Sequence, residues 1–157
     1  MGEVNVAGFR RALRGAARVG VDTVVWIYHL EDVRPYSELT LHLLSEAAAG
    51  AMKLVLSTIS VAEILAGPWR AGSRDWAERI EAALQALPGI DAADIAWSTA
   101  RRAARIRGET NLPMPDALII ASALDRGAQL LVTNDAGWAH VRHLGSRVLM
   151  LDDYVNV

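Results

Sequence analysis

The residues of this chain most suited to catalysis or metal binding are two aspartates. One lies at the start of a predicted helix, and the other follows the predicted strand after it. Residues 113–138 read PMPDALIIASALDRGAQLLVTNDAGW, which predicts a helix from Pro115 to Gly127 and then a short buried strand. Asp116 lies in the first helical turn, and Asp135 follows the strand. Because a helix leading into a parallel strand runs antiparallel to it, both aspartates are expected at the carboxyl edge of one sheet. That edge is where open α/β sheets bind ligands.

Two further acids are expected at the same edge. Asp22 ends a first apolar run, a costly position for a carboxylate, and Glu63 follows the predicted strand 53–57 in the first turn of a helix. Each acid also has a purely structural reading. Glu63 has capping-box spacing from Ser60, and Asp22 could be a buried cap. Asp116 and Asp135 could likewise be a helix-start acid and a turn residue. Four acids at one edge favour function over four separate structural roles.

Four carboxylates within a few ångströms of one another cannot all stay ionised without a counter-charge. A hard divalent cation such as Mg²⁺ or Mn²⁺ would supply it, because these ions prefer oxygen ligands. The chain has no cysteine, and its histidines show no metal-binding spacing to an acid; they are expected as surface or packing residues (His29, His42, His140 and His143). One or two such ions suit the hydrolysis of a phosphodiester.

Composition narrows the class of protein. At 157 residues, 52% hydrophobic and 22% charged, the chain is expected to be one globular domain over residues 1–157, with a basic extension over residues 1–16. The absence of cysteine excludes disulfides and fits a cytoplasmic location. No apolar run approaches the roughly 20 residues of a membrane helix, so no membrane association is expected. With a net charge of −2, a nucleic-acid partner would have to bind a local basic patch.

The order of predicted elements indicates an α/β fold with a parallel sheet covered on both faces. Helices are expected over residues 36–49, 60–66, 75–87, 93–107 and 137–144, and further strands over 53–57, near 90, and over 147–151. Residues 23–28 are ambiguous, because they are rich in strand formers yet could begin a helix. The five tryptophans are expected mostly in the core, with Trp138 beneath Asp135.

Two basic segments have open interpretations. Arg101, Arg102 and Arg105 crowd the second half of the helix predicted over residues 93–107. They are either favourable charge on a solvated helix end or a rim that faces the phosphates of RNA. The extension before residue 17 is either a short basic helix or a segment that packs on the domain.

Four segments of the sequence, in order, carry a family resemblance. They are VDT at 21–23, STISVAEILAGP at 57–68, PDALIIASA at 115–123 and VTND at 132–135. Together they resemble the PIN-domain ribonucleases, and among these the VapC-type toxins of toxin–antitoxin pairs. The resemblance implies a three-layer α/β/α fold with a central, mainly parallel sheet, and endonucleolytic cleavage of RNA that depends on Mg²⁺ or Mn²⁺.

The resemblance also assigns residues and partners. It implies that Asp22, Glu63, Asp116 and Asp135 form the catalytic, metal-binding cluster, with Thr133 in support. It favours a helix directly after Asp22, and it implies a toxin homodimer and a cognate antitoxin that covers the site. The chain departs from the family in two places. Val24 stands where the family often has Asn or Ser, and a basic extension precedes Asp22, which normally lies close to the chain start.

Two other functions fit the same sequence. The first is a housekeeping PIN nuclease without an antitoxin, and the second is an inactive PIN-like module that only binds a partner. A phosphatase of the haloacid dehalogenase type is excluded because Val24 stands where its second acid would be. A receiver domain needs an acidic pair near the first strand and a lysine late in the chain. It is excluded because the sequence has neither.

Overall fold

A computed structural model describes residues 3–144 and 146–156 of the chain. The predictions made for His140 and His143 concern side chains outside the described part. Strands and helices alternate along most of the chain, as the hydrophobic pattern predicts.

Five parallel strands form the central sheet. They are β1 (Arg18–Val21), β2 (Lys53–Ser57), β3 (Ile90–Ala93), β4 (Leu130–Thr133) and β5 (Arg147–Met150), in the spatial order β3-β2-β1-β4-β5. Strand β1 pairs with β2 on one side and with β4 on the other, so the chain changes its winding direction at β1. A doubly wound sheet has its ligand crevice at such a switch point, beyond the carboxyl ends of the strands.

Helices cover both faces of the sheet. They are α1 (Val6–Leu13), α2 (Thr23–Leu30), α3 (Tyr36–Ala48), α4 (Thr58–Arg70), α5 (Arg74–Ala86), α6 (Trp97–Thr110) and α7 (Met114–Asp125), with 3₁₀ helices at Ala136–Leu144 and Leu151–Tyr154. One buried cluster joins α1, α2 and α3 to the sheet around Phe9, Trp26 and Leu43. A second cluster joins α6 and α7 to the other face around Ile106 and Ile120. The three-layer α/β/α fold with a parallel sheet is thereby confirmed.

Residues 23–30 form a helix, although their side chains favour a strand. Asp22 caps this helix, since it has extended backbone angles and its side chain accepts a hydrogen bond from the Thr23 amide. Val25 and Trp26 are each only 1% exposed, so the helix buries large apolar surface against the sheet. That burial outweighs a β propensity whose full range is only about 1 kcal/mol.

Helix α4 differs from the prediction at both ends. It begins at Thr58, with Ser57 rather than Ser60 as the capping residue, so the predicted capping box of Ser60 and Glu63 is wrong. It also continues through Pro68 to Arg70, past the predicted stop. A proline removes one backbone hydrogen bond, and in the last turn the burial of Pro68 outweighs this loss.

Helix α6 starts later than predicted. Ala93 is paired with Ser57 in the sheet, so residues 90–93 are strand and the helix begins at Trp97. It ends at Asn111, whose positive φ of 58° stops the helical hydrogen bonds. The expectation that tryptophans lie mostly in the core is wrong for three of the five: Trp69, Trp76 and Trp97 are 57%, 37% and 88% exposed.

The residues before β1 form a packed helix. In α1, Phe9 and Leu13 are buried in the core, while Arg10 and Arg11 lie on the outer side. Ahead of this helix, Val4 forms an antiparallel bridge with Val155, so the two ends of the described chain lie side by side. None of the described helices combines the length and hydrophobicity needed to cross a lipid bilayer.

Strand β1 packs closely against helix α7 at Gly20. A Cβ atom added there would lie 2.5 Å from the Cβ of Ala123 in α7 and 2.7 Å from Cδ2 of Leu131. We expect Gly20→Ala to lower the free energy of unfolding by about 1–3 kcal/mol, because the helix must move away from the sheet. Urea denaturation measures this change.

Gly67→Ala is the matched control, since no atom lies within 4 Å of its added Cβ. That variant should gain up to about 1 kcal/mol from helix propensity. Equal effects at both positions would contradict the packing explanation.

Candidate active site

Asp22 lies at the centre of the candidate site, between the ends of β1 and β4. Its side chain is buried, and each carboxylate oxygen accepts one hydrogen bond. The Thr23 amide donates to Oδ1 at 2.7 Å, and the Thr133 hydroxyl donates to Oδ2 at 2.7 Å. The first bond comes from the cap of α2 and the second from the end of β4. Two elements on the switch point of the sheet therefore fix the orientation of this carboxylate.

Glu63 is joined to Asp22 through Thr23, whose backbone amide donates to Asp22. The Thr23 hydroxyl lies within donating distance of Oε1 of Glu63 at 2.7 Å and of Oγ of Ser60 at 2.8 Å. Because a hydroxyl has a single proton, Glu63 and Ser60 share this one donor. Ser60 therefore lies in the network around Glu63 and is not the cap of its helix.

Asp135 is joined to Asp22 through Thr133. The Thr133 hydroxyl, which donates to Asp22, accepts a hydrogen bond from the Asp135 amide at 3.0 Å. The Asp135 carboxylate in turn accepts from the Gly137 amide at 2.8 Å, which forms a tight polar turn. The side chain of Asp135 remains exposed, at the mouth of the crevice.

Asp116 stands in the first turn of α7, as the sequence predicts, and is half-buried. The fully buried Trp138 lies beside it. The indole Nε1 of Trp138 has no hydrogen bond of standard geometry, but its N–H is close enough to lower the pKa of Asp116. Trp138 thus lies beside Asp116, and its backbone amide donates to the Asp135 carbonyl at 3.0 Å.

The four carboxylates act on one another electrostatically. The pKa of Asp22 is raised to about 7, mainly by burial and also by the negative charges of Asp116 and Asp135, which together outweigh the two hydrogen bonds that lower it. Burial also raises the pKa of Asp116, with repulsion from Asp135 and Glu63 added. The structure therefore brings all four predicted acids into one electrostatic cluster.

The donor set of this cluster suits a hard divalent cation. In the described residues, no three acid or histidine side chains already stand close enough together to hold a metal ion. The ligands that the four side chains offer are nevertheless all carboxylate oxygens, as Mg²⁺ and Mn²⁺ prefer. Their mutual repulsion is the condition that a bound cation relieves. On these two grounds the residues fit a Mg²⁺ or Mn²⁺ ion.

The three predicted RNA-binding arginines lie apart from the acids, along a groove of roughly 600 Å³ between α6 and α7. Two of them are already paired: Arg102 contacts Asp125 at 2.7 Å, and Arg105 contacts Glu109 at 2.8 Å. Arg101 lines the groove between them and Trp97, which is 88% exposed one helical turn earlier. The three arginines therefore line one groove, and none of the four acids lines it.

Sequence reasoning did not foresee the part played by Thr23 and Ser60. The residue at position 24, where the family often has a polar side chain, is an apolar valine. In its place, Thr23 supplies both the amide to Asp22 and the hydroxyl to Glu63. A polar residue directly after an acid at a strand end is the signal that could have indicated this, because that position is the first of a capped helix.

Comparison with known proteins supports the fold and shows the family of the chain. A family model described as the PIN domain matches residues 19–144, which include all four acids and Thr133. The chain therefore belongs to the PIN-domain family, a family of nucleases. A search of curated proteins found no significant match.

Solved structures of similar fold come from toxin–antitoxin complexes. A chain of a toxin-antitoxin complex from Klebsiella pneumoniae superposes with a TM-score of 0.62 at 21% identity, over 85% of this chain and 97% of that chain. A chain of VapBC2 from Rickettsia felis, bound to a DNA fragment from the promoter, gives 0.64 at 16% identity, over 85% and 98%. VapBC-1 from nontypeable Haemophilus influenzae gives 0.64 at 16% identity, over 86% and 98%. At these identities the likeness establishes the fold.

The raised pKa of Asp22 predicts how the stability of the metal-free protein depends on pH. Because folding raises this pKa from 3.8 to about 7, the folded state binds the proton more tightly, and stability falls as pH rises between these values. In EDTA, Asp22→Asn should therefore become more stable than the wild type as pH increases, by at most about 4 kcal/mol above pH 7. Thermal or urea unfolding at pH 4 to 8 measures the difference. Asp75→Asn, on the exposed side of α5, is the control. A difference that does not change with pH would contradict the raised pKa.

Proposed function

We propose that this PIN-domain protein is a metal-dependent endoribonuclease and the toxin of a toxin–antitoxin pair. The observation that carries the proposal is the electrostatic cluster of four carboxylates at the switch point of the sheet, where burial and then repulsion from neighbouring carboxylates raise the pKa of Asp22 and of Asp116. The domain is proposed to include residues 1–157, with the extension before β1 packed on it.

Asp22, Glu63, Asp116 and Asp135 would hold Mg²⁺ or Mn²⁺. When bound, such an ion supplies Lewis acidity and an activated water for phosphodiester hydrolysis. The side chains have unequal surroundings: Asp22 is buried at the base of the crevice, while Glu63 and Asp135 are exposed at its mouth. The buried acid would anchor the ion, and the exposed acids would face the substrate.

The supporting threonines hold the carboxylates for this role. Thr133 donates to Asp22 and accepts from the Asp135 amide, so one hydroxyl sets the relative position of two acids. Thr23 does the same for Asp22 and Glu63 through its amide and hydroxyl. Ligands fixed by hydrogen bonds of this kind lose little freedom when they bind a metal ion.

RNA would contact the groove between α6 and α7 as it approaches the acids. Helix α7 carries Asp116 at its start and Asp125, the partner of Arg102, at its end. The groove therefore runs alongside the helix that leads to the site. Arg101 and Arg105 would contact phosphates, and the exposed Trp97 offers a flat face on which an unpaired base can stack.

An antitoxin segment is the proposed occupant of a second, apolar groove between α2 and the α4–α5 hairpin. This groove of about 210 Å³ is lined by Ile27, Leu30, Ile64, Pro68, Trp76 and Ile80. Its residue Ile64 directly follows Glu63, so a segment bound there would pass the acidic site. The similar structures from toxin–antitoxin complexes support this choice of partner. A toxin homodimer and a cytoplasmic location belong to the same proposal.

We expect the purified protein to cleave total bacterial RNA with Mg²⁺ or Mn²⁺ and not with EDTA. Asp116→Asn should lower the rate at least 100-fold, because it removes a charge that holds the ion, while its circular dichroism stays unchanged. Denaturing gels with end-labelled RNA measure the rate. Cleavage by the variant at the wild-type rate would contradict the assignment of Asp116.

Expression in a bacterial host separates the toxin from a housekeeping nuclease and from an inactive binding module. A toxin should arrest growth, and Asp116→Asn should relieve the arrest. Cleavage in vitro without growth arrest would favour a housekeeping enzyme, while arrest by both forms would favour a module that acts by binding alone.

We also expect the double variant Arg101→Gln/Arg105→Gln to bind RNA more weakly and with a shallower dependence on salt. The reason is that two fewer phosphate contacts release fewer counterions, which lowers the slope of log K against log salt by about 1 to 2. Filter binding in EDTA, without turnover, measures both quantities. Arg10→Gln/Arg74→Gln removes the same charge from α1 and α5 and is the matched control. Equal slopes for the two double variants would rule out the groove as the RNA contact.

A further inference from the structure

A polar network lies next to the acidic site, and all of its members except Asn134 lie outside the four segments that resemble the family. Its centre is the pair Asn134 and Asp152. The Asp152 amide donates to Oδ1 of Asn134 at 2.9 Å, and Nδ2 of Asn134 donates to Oδ1 of Asp152 at 3.1 Å. The two residues thus exchange hydrogen bonds, and a reciprocal pair of this kind fixes both position and orientation.

Asn134 stands between two residues of the candidate site. Thr133 before it donates to Asp22, and Asp135 after it is one of the four acids. Any movement of the Asn134 backbone would therefore move both the Thr133 hydroxyl and the Asp135 carboxylate. Asn134 is the residue of the turn between Thr133 and Asp135 that is not itself part of the candidate site. Its hydrogen bonds to Asp152 therefore fix the turn without occupying a site residue.

Two tyrosines support the same pair. The Tyr36 hydroxyl donates to Oδ1 of Asp152 at 2.6 Å, and Nδ2 of Asn134 lies 3.3 Å from the Tyr28 hydroxyl. The rings of Tyr28 and Tyr36 are stacked, with centroids 4.5 Å apart and an interplanar angle of 12°. Helices α2 and α3 are thereby connected to the turn after β4.

The segment that carries Asp152 is held in place by the opposite end of the chain. The Asn5 amide donates to the Tyr154 carbonyl at 2.8 Å, and the Asn156 amide donates to the Glu3 carbonyl at 3.0 Å. Phe9 of α1 meets the Tyr154 ring edge-on at 5.2 Å. Both paired segments lie outside residues 19–144, the part that matches the PIN domain.

We propose that Asp152 is a positioning residue for the acidic site and that it acts through its hydrogen bonds to Asn134. The pairing of residues 3–5 with 154–156 holds Asp152 in place for this role. The proposal rests on the proposed function, since it concerns the same carboxylates. The extension before β1 thereby has a role. It stabilises the position of the C-terminal segment, and that segment stabilises the turn between Thr133 and Asp135. Asp152 itself is not assigned a contact with RNA or metal.

Asp152→Ala tests this role. We expect it to weaken Mn²⁺ binding and to lower kcat each by about tenfold, the usual effect of removing an outer hydrogen bond from a metal ligand system, with KM for RNA unchanged. Isothermal titration with Mn²⁺ gives the affinity without RNA, and steady-state cleavage of an end-labelled RNA gives kcat and KM. Asp153→Ala, which removes the adjacent exposed carboxylate, should leave all three values unchanged.

Two further variants distinguish positioning from charge and from general destabilisation. Asp152→Asn keeps an oxygen that accepts from Asn134 and Tyr36, so it should retain the wild-type Mn²⁺ affinity. If it matches Asp152→Ala instead, charge is the cause and positioning is wrong. Adding Asn134→Ala to Asp152→Ala should lower kcat no further than the worse of the two single variants, because both break the same pair. Multiplied losses would overturn the proposal.

The outcomes also separate this proposal from the proposed function. If the wild type cleaves RNA and Asp152→Ala binds Mn²⁺ equally well, the positioning role alone is wrong. A different result would be a wild type that cleaves no RNA, with Mn²⁺ affinity lowered in Asp152→Ala and kept in Asp152→Asn. In that case the positioning role is supported and the nuclease assignment is wrong. A wild type that binds no Mn²⁺ overturns both.

Discussion

The repulsion among four carboxylates at one edge of the sheet is the constraint on which the rest of this structure depends. Asp22 is buried, and its neighbours Asp116 and Asp135 raise its pKa further. A fold that keeps such a group must hold it with hydrogen bonds, because an unpaired buried charge costs several kcal/mol. The amide of Thr23 and the hydroxyl of Thr133 supply these bonds. Under the proposed function, a bound cation would relieve this repulsion, so instability of the metal-free site and affinity for a metal ion would have the same physical origin.

The topology of the sheet explains why the acids meet. Strand β1 lies between β2 and β4, so the residues after these strands and at the start of α7 converge at one switch point. Each acid is placed by a different element: Asp22 by the end of β1, Glu63 by α4, Asp116 by the start of α7, and Asp135 by the turn after β4. The threonines then join these elements to one another. Positioning is thereby distributed over the whole sheet edge, and the threonines couple neighbouring acids to one another.

Two different grooves near the site are the proposed contacts for RNA and for the antitoxin. Arginines line the groove of α6 and α7, while the mainly apolar groove of α2, α4 and α5 is lined by Ile64, the residue after Glu63 in the sequence. Two of the three groove arginines are engaged with acids, so the local positive potential is smaller than the sequence suggests. This arrangement is consistent with a protein whose net charge is −2, and in which the metal ion rather than the surface would offset the charge of an RNA substrate.

The sequence by itself determined the parallel α/β fold, the four acids and their common edge, because strand length, helix period and helix-start residues are local signals that topology converts into position. Local propensity could not determine the helix after Asp22, which the family resemblance favoured and the structure confirms with Val25 and Trp26 buried. Nor could it determine the passage of α4 through Pro68. It also missed Thr23, Ser60 and the pair of Asn134 with Asp152, since each acts through a partner from 18 to 40 residues away. Such contacts form only when the sheet brings distant segments together, and for that reason only the tertiary structure decided them.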